Sequence, residues 1–261
     1  MLRIARDGLV FYQFEALSGE VGLVHGVFTR LGGVSAPPFD SLNMSISVGD
    51  DQATVEANRR AMYAALGIPP DRVRTVWQVH SAEVVVVNGK QPQAWPPPQA
   101  DIIITQQPGL GLTMRFADCV PVLLYDPIRR VVGMAHAGWR GTVRHAGRVA
   151  VQAMRDSFGC DPADIIAGIG PSIGPCCYEV GPEVVAQVAA AFGGTDGLIA
   201  SGPGGVAHLD LWAANQRALR QVGVERVEVA GLCTACHRDE FFSHRAEGMT
   251  GRFGALAGLA P

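Results

Sequence analysis

Two spacings of apolar positions alternate along this 261-residue chain. Over 52–68, "QATVEANRRAMYAALGI", Val55, Met62 and Leu66 recur at helical spacing, Arg59 falls on a related face, and Gly67 closes the run. The same period predicts helices over 142–159 (ended by Gly159), 182–192 (Pro182 in the first turn) and 209–223 (Asp210 as N-cap). Shorter β-branched runs predict strands at 73–87, with His80 midway, and at 101–105, 110–126, 130–138, 164–170 and 226–234. Residues 29–51 are rich in Gly, Pro, Ser, Asn and Asp and read as a long connection, of a length that is often functional. Residues 88–100 form a Pro-rich excursion too short for a domain linker. There is no internal repeat. Strands follow one another without strict βαβ alternation, which predicts hairpins, mixed sheets and the α+β class in a single domain spanning 1–261.

Composition narrows the classes. Apolar residues make up 48% and charged residues 17%, enough for a sizeable core. The net charge of -3 provides no basic field for nucleic acid. The N-terminus lacks the apolar segment of a signal peptide, and no apolar run reaches the roughly 18 residues of a membrane span. The expectation is a cytoplasmic protein with no nucleic-acid or membrane partner. In that setting six cysteines read as thiols or metal ligands, not as a disulfide framework.

Candidate chemistry enters at "DPIR" (126–129), between two apolar runs. A turn centred between Pro127 and Ile128 sets Cys119 opposite His136, since directly opposed side chains lie about 4.5–5.5 Å apart at Cβ. Alone, Cys119 reads as a small core residue and His136 as a satisfied core histidine. Together they draw attention, because Asp118 precedes the cysteine, glycines crowd the histidine, and His80 interrupts a Val-rich run as a third donor. Two imidazoles and a thiolate suit Zn²⁺, and three protein ligands leave a fourth position open, as in a catalytic site.

"HGVFTRLGGVS", "VGDD", "NR", "QVH", "ADCVPVLL", "HAGWRG", "GPSIGPCCYEVG" and "FFSHRAEGMTGRF" run in order over nearly the whole chain. Together they resemble the bacterial laccase-domain family, labelled variously polyphenol oxidase, multicopper oxidase and peptidoglycan editing factor. The resemblance implies a sandwich-like α+β core with flanking helices and a cleft in which His80, Cys119 and His136 bind catalytic zinc. It implies phosphorolysis of adenosine, inosine, guanosine and methylthioadenosine, with purine nucleosides and inorganic phosphate as partners, and deamination of adenosine. The chain departs from the family at Ser47–Val48, where a histidine is usual before "VGDD", and at Phe116, where a threonine is usual before "ADC".

Roles follow from side-chain chemistry. The base-deaminase signature, H-x-E with P-C-x-x-C, is absent, so Asp118 is the candidate catalytic proton shuttle, with a structural turn carboxylate as the alternative. Guanidinium forks suit phosphate, which nominates Arg30 in "TRLGG" first, then Arg59 and Arg140. Asn43 and Ser35 are ribose candidates. Tyr178, Glu179, Ser243 and Arg245 are placed near the cleft, the last two by resemblance alone. Cys176 and Cys177, read as strand neighbours, point to opposite faces and cannot easily share one metal. "CTACH" (233–237) matches a haem-attachment pattern, but haem attachment needs export, so Cys233 and Cys236 read as incidental neighbours, with a second zinc or a redox pair as the lesser alternatives. The rival functions are a copper polyphenol oxidase, a metal-free Cys119–His136 hydrolase acting in peptidoglycan editing, and a binding protein without activity. A multicopper centre needs many histidines in H-x-H pairs, and the chain has seven histidines and no such pair.

Overall fold

Asp7 and Gly8, with φ of 52° and 79°, close a two-residue turn that pairs Leu2–Arg6 with Leu9–Gln13. Asp-Gly is a strong hairpin signal because both central residues of this turn need positive φ. The sequence pattern assigned no strands before residue 73, so this hairpin is an addition from the structure. The computed structural model describes residues 1–89 and 92–261, so positions 90 and 91 of the Pro-rich excursion lie outside the described residues.

The hairpin opens a six-stranded sheet in the spatial order Leu2–Arg6, Leu9–Gln13, Leu23–Phe28, Phe253–Leu259, Gly111–Phe116, Val73–Thr75. A second six-stranded sheet runs Arg226–Val229, Ile166–Ile169, Val120–Asp126, Val131–Ala137, Ile102–Thr105, Val84–Val87. Both are mixed, with parallel pairs at their edges. Phe116, Phe253, Ala255 and Ala257 of the first sheet pack with Leu123, Tyr125, Val132 and Met134 of the second. The intervening residues face outward onto helices. Val120, Val122 and Leu124 meet Ala146–Phe158 and Leu211–Arg220, while Leu256 meets Gln52–Ala65. The architecture is an α+β sandwich with helices on its outer faces. Among the described residues, no helix is long and apolar enough to cross a membrane.

The helix ends follow local chemistry. Asp51 caps Gln52–Ala65 by accepting from Thr54 N, and Asp210 caps Leu211–Arg220 by accepting from Ala213 N. Pro182 opens Pro182–Phe192, and Gly159 ends Ala146–Phe158 in the left-handed conformation. The helix expected over 142–159 is broken, because His145 has φ 55° and separates Trp139–Val143 from Ala146–Phe158.

Two strands predicted as continuous are each split between the sheets. The 73–87 run gives Val73–Thr75 to the first sheet and Val84–Val87 to the second, and the 110–126 run divides into Gly111–Phe116 and Val120–Asp126. The turning points carry His80, φ 60°, and Asp118, φ 81°. Left-handed backbone is uncommon outside glycine and concentrates at functional sites. Apolar runs continue on both sides of each corner, nearly all buried around Asp118, and this hid the change of sheet from the pattern.

The hairpin register also differs from expectation. Asp126 pairs with Val131 and Pro121 with His136, so the connection centres one residue later than Pro127–Ile128. Asp126 Oδ1 accepts from the N–H groups of both Ile128 and Arg129, 2.8 Å each, which lengthens the turn. The residue facing Cys119 across the extended register is therefore Gly138, not His136. A shift of two preserves the face of the sheet, so Cys119 and His136 remain diagonal neighbours.

Candidate metal centre and its cleft

The two sheet-crossing corners and the end of Val131–Ala137 converge at one end of the sandwich. His80 and Cys119 come from the corners and His136 from the strand. One ligand atom from each of the three lies within 4.8 Å of the others, with Cys119 Sγ 3.9 Å from His80 Nε2. An alanine Cβ at Gly138 would stand 2.6 Å from Cys119 Sγ, so the absent side chain is what makes room for the sulfur.

Asp101, at the head of Ile102–Thr105, organises the set. Its Oδ1 accepts from His136 Nδ1 at 2.8 Å, which leaves Nε2 of that ring for the centre. Its Oδ2 accepts from the N–H of Val79 (3.1 Å), the N–H of Ser81 (2.6 Å) and Ser81 Oγ (2.8 Å), clamping the corner on both sides of His80. Sequence reasoning missed Asp101. Its one signal was a carboxylate heading a run of three isoleucines, Ile102–Ile104.

The electrostatics suit a metal donor set. Burial pushes the Cys119 thiol up, but His136 and a hydrogen bond with His80 outweigh it and bring it down to about 6. Burial pushes His136 down, while the Cys119 thiolate and Asp101 raise it to about 9. Burial acts upward on Asp101 too, and the hydrogen bonds from His136 and Ser81 hold it well below the usual carboxylate range. A thiolate and an imidazole oriented by a carboxylate match the donors zinc takes.

The centre opens into a cleft of about 520 Å³. Of the residues nominated from sequence, His80, Cys119, His136, Asp118, Arg59, Arg140, Tyr178 and Arg245 line it. Arg30 and Asn43 do not. The Arg30 guanidinium donates to the carbonyls of Asp40 and Arg238, pairs with Glu247 at 2.8 Å and stacks on Phe242. Asn43 is fully buried and bonded to Ser45, Asp50 and the N–H of Arg252. Ser35 donates to Asp50, and Ser243 caps His244–Glu247; neither lines the cleft. Asp118 accepts from Thr234 Oγ1 (2.7 Å), Ser243 Oγ (2.7 Å) and Arg245 N (2.6 Å). That arrangement matches the structural alternative for Asp118, since it ties the cysteine corner to two loops of the cleft wall.

Among the cleft-lining residues are Arg59, Arg115 and Arg252; Arg59 lies near Arg115, and Arg252 lies near Asp118 and Cys119. Burial and the neighbouring Arg59 charge lower Arg115 to about 10. None of the three is paired with a carboxylate among the described residues. Arg115 and Arg252 escaped sequence reasoning because each sits on a strand-like run whose apolar neighbours draw the eye.

The family described as "Multi-copper polyphenol oxidoreductase laccase" matches residues 24–260. The chain belongs to this laccase-domain family. Among laccase-domain relatives, "Purine nucleoside phosphorylase YlmD" of Geobacillus stearothermophilus is 40% identical over 248 residues, covering 91% of this chain and 90% of its own. The crystal structure of YlmD from Geobacillus stearothermophilus aligns with a TM-score of 0.90 at 35% identity, covering 99% of this chain and 98% of that one. The Bacillus licheniformis hypothetical protein YfiH aligns with a TM-score of 0.90 at 33% identity, covering 97% of each chain.

Proposed function

We propose that the cleft is the active site of a zinc-dependent purine nucleoside phosphorylase. It takes adenosine, inosine, guanosine and methylthioadenosine with inorganic phosphate, and it also deaminates adenosine. One observation carries the reading: a thiolate–imidazole donor set and five guanidiniums without carboxylate ion-pair partners among the described residues line a single cleft of about 520 Å³. That is room for a nucleoside beside an anion. Relatives bearing the phosphorylase name support the substrate class. A reducing, cytoplasmic setting suits six cysteines, none of them in a disulfide.

His80, Cys119 and His136 hold the zinc, which when bound supplies a Lewis acid that polarises oxygen or activates water. Arg59, Arg115 and Arg252 seat the phosphate, because the neighbouring Arg59 and Arg115 cations are stabilised by an anion between them and Arg252 lines the same cleft. Trp77, Trp95, Trp139 and Tyr178 line the cleft and give the purine apolar and stacking surface. In phosphorolysis a phosphate oxygen bonds to C1′ of the ribose, the bond from C1′ to N9 breaks, and the purine takes up a proton. His244 lines the cleft and donates from Nδ1 to the Gly248 carbonyl at 2.8 Å, which leaves Nε2 to carry that proton. In deamination water adds its oxygen at C6 and ammonia leaves, and the same imidazole moves the proton.

The test is to assay zinc-loaded protein on adenosine with and without phosphate. Adenine and ribose 1-phosphate appearing only with phosphate, together with phosphate-independent inosine, support the reading. Absence of both products from zinc-loaded protein overturns it, and oxidation of a phenol by copper-loaded protein that leaves adenosine unchanged favours the oxidase rival.

A further inference from the structure

Cys176, Cys177, Cys233 and Cys236 lie together, with all four Sγ atoms within 4.8 Å of one another. Two sequence expectations fail here. Cys176 and Cys177 are in a turn after Gly174, not a strand, so adjacent side chains can converge. Cys233 and Cys236 are not incidental neighbours. The N–H groups of Cys236 and His237 both bond the Cys233 carbonyl, and this tight C-x-x-C turn aims both sulfurs at the first pair.

We propose that these four cysteines bind a second zinc ion, structural in role and separate from the His80–Cys119–His136 centre. Cys236 Sγ lies 3.6 Å from Cys176 Sγ and 3.5 Å from Cys177 Sγ. A tetrahedral ion with zinc–sulfur bonds of about 2.3 Å separates its sulfurs by about 3.8 Å. Disulfide bonding requires a sulfur separation of about 2.05 Å, and a polynuclear iron–sulfur cluster would hold its cysteine sulfurs much farther apart. The Gly174 N–H points at Cys233 Sγ from 3.2 Å, a backbone donor that stabilises thiolate charge. Divalent zinc replaces the four thiol protons, which pass to solvent. Four protein ligands leave no open position, which is the mark of a structural site.

The ion would pin two loops already stitched together. Ser172 pairs with Cys233, Ser172 N donates to the Leu232 carbonyl, and Thr234 N donates to the Ser172 carbonyl. These loops carry Ile173 and Tyr178, which line the cleft, and Thr234, which bonds Asp118 beside Cys119. The second zinc is therefore a brace behind one wall of the cleft.

The proposal stands apart from the nucleoside reading, and its test measures no activity. Protein purified without chelator is analysed for metal content. Two zinc ions per chain are expected in the wild type. One is expected in a His80→Ala/His136→Ala variant, and one in a Cys176→Ser/Cys236→Ser variant. In the histidine variant, cobalt substitution should give the intense thiolate charge-transfer absorption of a four-sulfur site. Should the serine variant fail to fold, a thiol reagent applied to wild-type protein decides. Cys176 and Cys236 are exposed, so they react slowly before a chelator is added and rapidly afterwards if metal covers them. No zinc in the His80→Ala/His136→Ala variant, metal-independent reaction of these thiols, or disulfides among the four in freshly purified protein would overturn the site.

Discussion

Asp101 binds the His136 ring through one carboxylate oxygen and the backbone on both sides of His80 through the other. A single side chain thus positions two of the three converging side chains, which are 56 residues apart in sequence (136 minus 80). Asp101→Asn keeps the shape but replaces an acceptor oxygen with a donor nitrogen. Zinc affinity at the His80–Cys119–His136 centre should fall by about 10–100-fold, as for other carboxylates that orient a metal-bound histidine. Chelator competition on the folded variant measures this, and an unchanged affinity would show that the ligands hold themselves in place.

Gly138 faces Cys119, and its φ of -67° is open to any residue. Alanine is therefore allowed by the backbone and disallowed by the sulfur 2.6 Å from its Cβ. Gly138→Ala should stay folded, displace the thiolate and lower turnover by about two orders of magnitude, the cost of a displacement near 1 Å at a reacting centre. Gly141→Ala is a milder control, since its Cβ would meet the His136 carbonyl at 3.0 Å. Equal turnover for Gly138→Ala and wild type would remove the steric argument.

The convergence of His80, Cys119 and His136 was legible from sequence because the three residues break apolar runs, and such breaks survive errors of register. The turn arithmetic was off by two in pairing and still right in face, since strand side chains repeat every second residue. The sheet-crossing corners at His80 and Asp118 were not legible, because β-branched and apolar residues continue on either side and belong to different sheets. Arg30 was a poor choice for phosphate because a glycine-flanked arginine looks accessible. Its real partners, Glu247 and Phe242, are more than two hundred residues away. The cysteine cluster was misread because strand geometry was assumed where the chain turns.

The Cys119–His136 pair makes a prediction about pH in the metal-free protein. Cys119 lowered to about 6 binds fewer protons than the unfolded thiol, so alone it makes stability rise with pH between about 6 and its ordinary 9.0. His136 raised to about 9 binds more protons than the unfolded imidazole, so alone it makes stability fall between its ordinary 6.5 and about 9. The trends oppose each other, because folding in effect moves one proton from sulfur to nitrogen. Thermal stability of the apo protein should therefore change little across this window on account of the pair. The thiolate itself should titrate near 6, read as the pH dependence of Cys119 alkylation against a Cys119→Ser control. A midpoint near 9 would mean that the two side chains do not form an ion pair.

Arg115 and Arg30 separate binding from folding. Arg115 faces the cleft beside Arg59, and in our reading its charge is used by phosphate. Arg115→Gln should raise the KM for phosphate roughly tenfold to hundredfold, the weight of one or two charge-assisted hydrogen bonds. The KM for the nucleoside should move far less. Arg30→Gln leaves Glu247 without its cationic partner, bonded only to Ser243 N and Thr250 Oγ1, and should lower unfolding stability by about 2–3 kcal/mol, with the phosphate KM of the folded fraction unchanged. Phosphate-concentration series on both variants, paired with urea titrations, check the contrast. If Arg30→Gln raises the phosphate KM while Arg115→Gln does not, the anion seat lies on the Arg30 loop and the arginine trio must be explained in some other way.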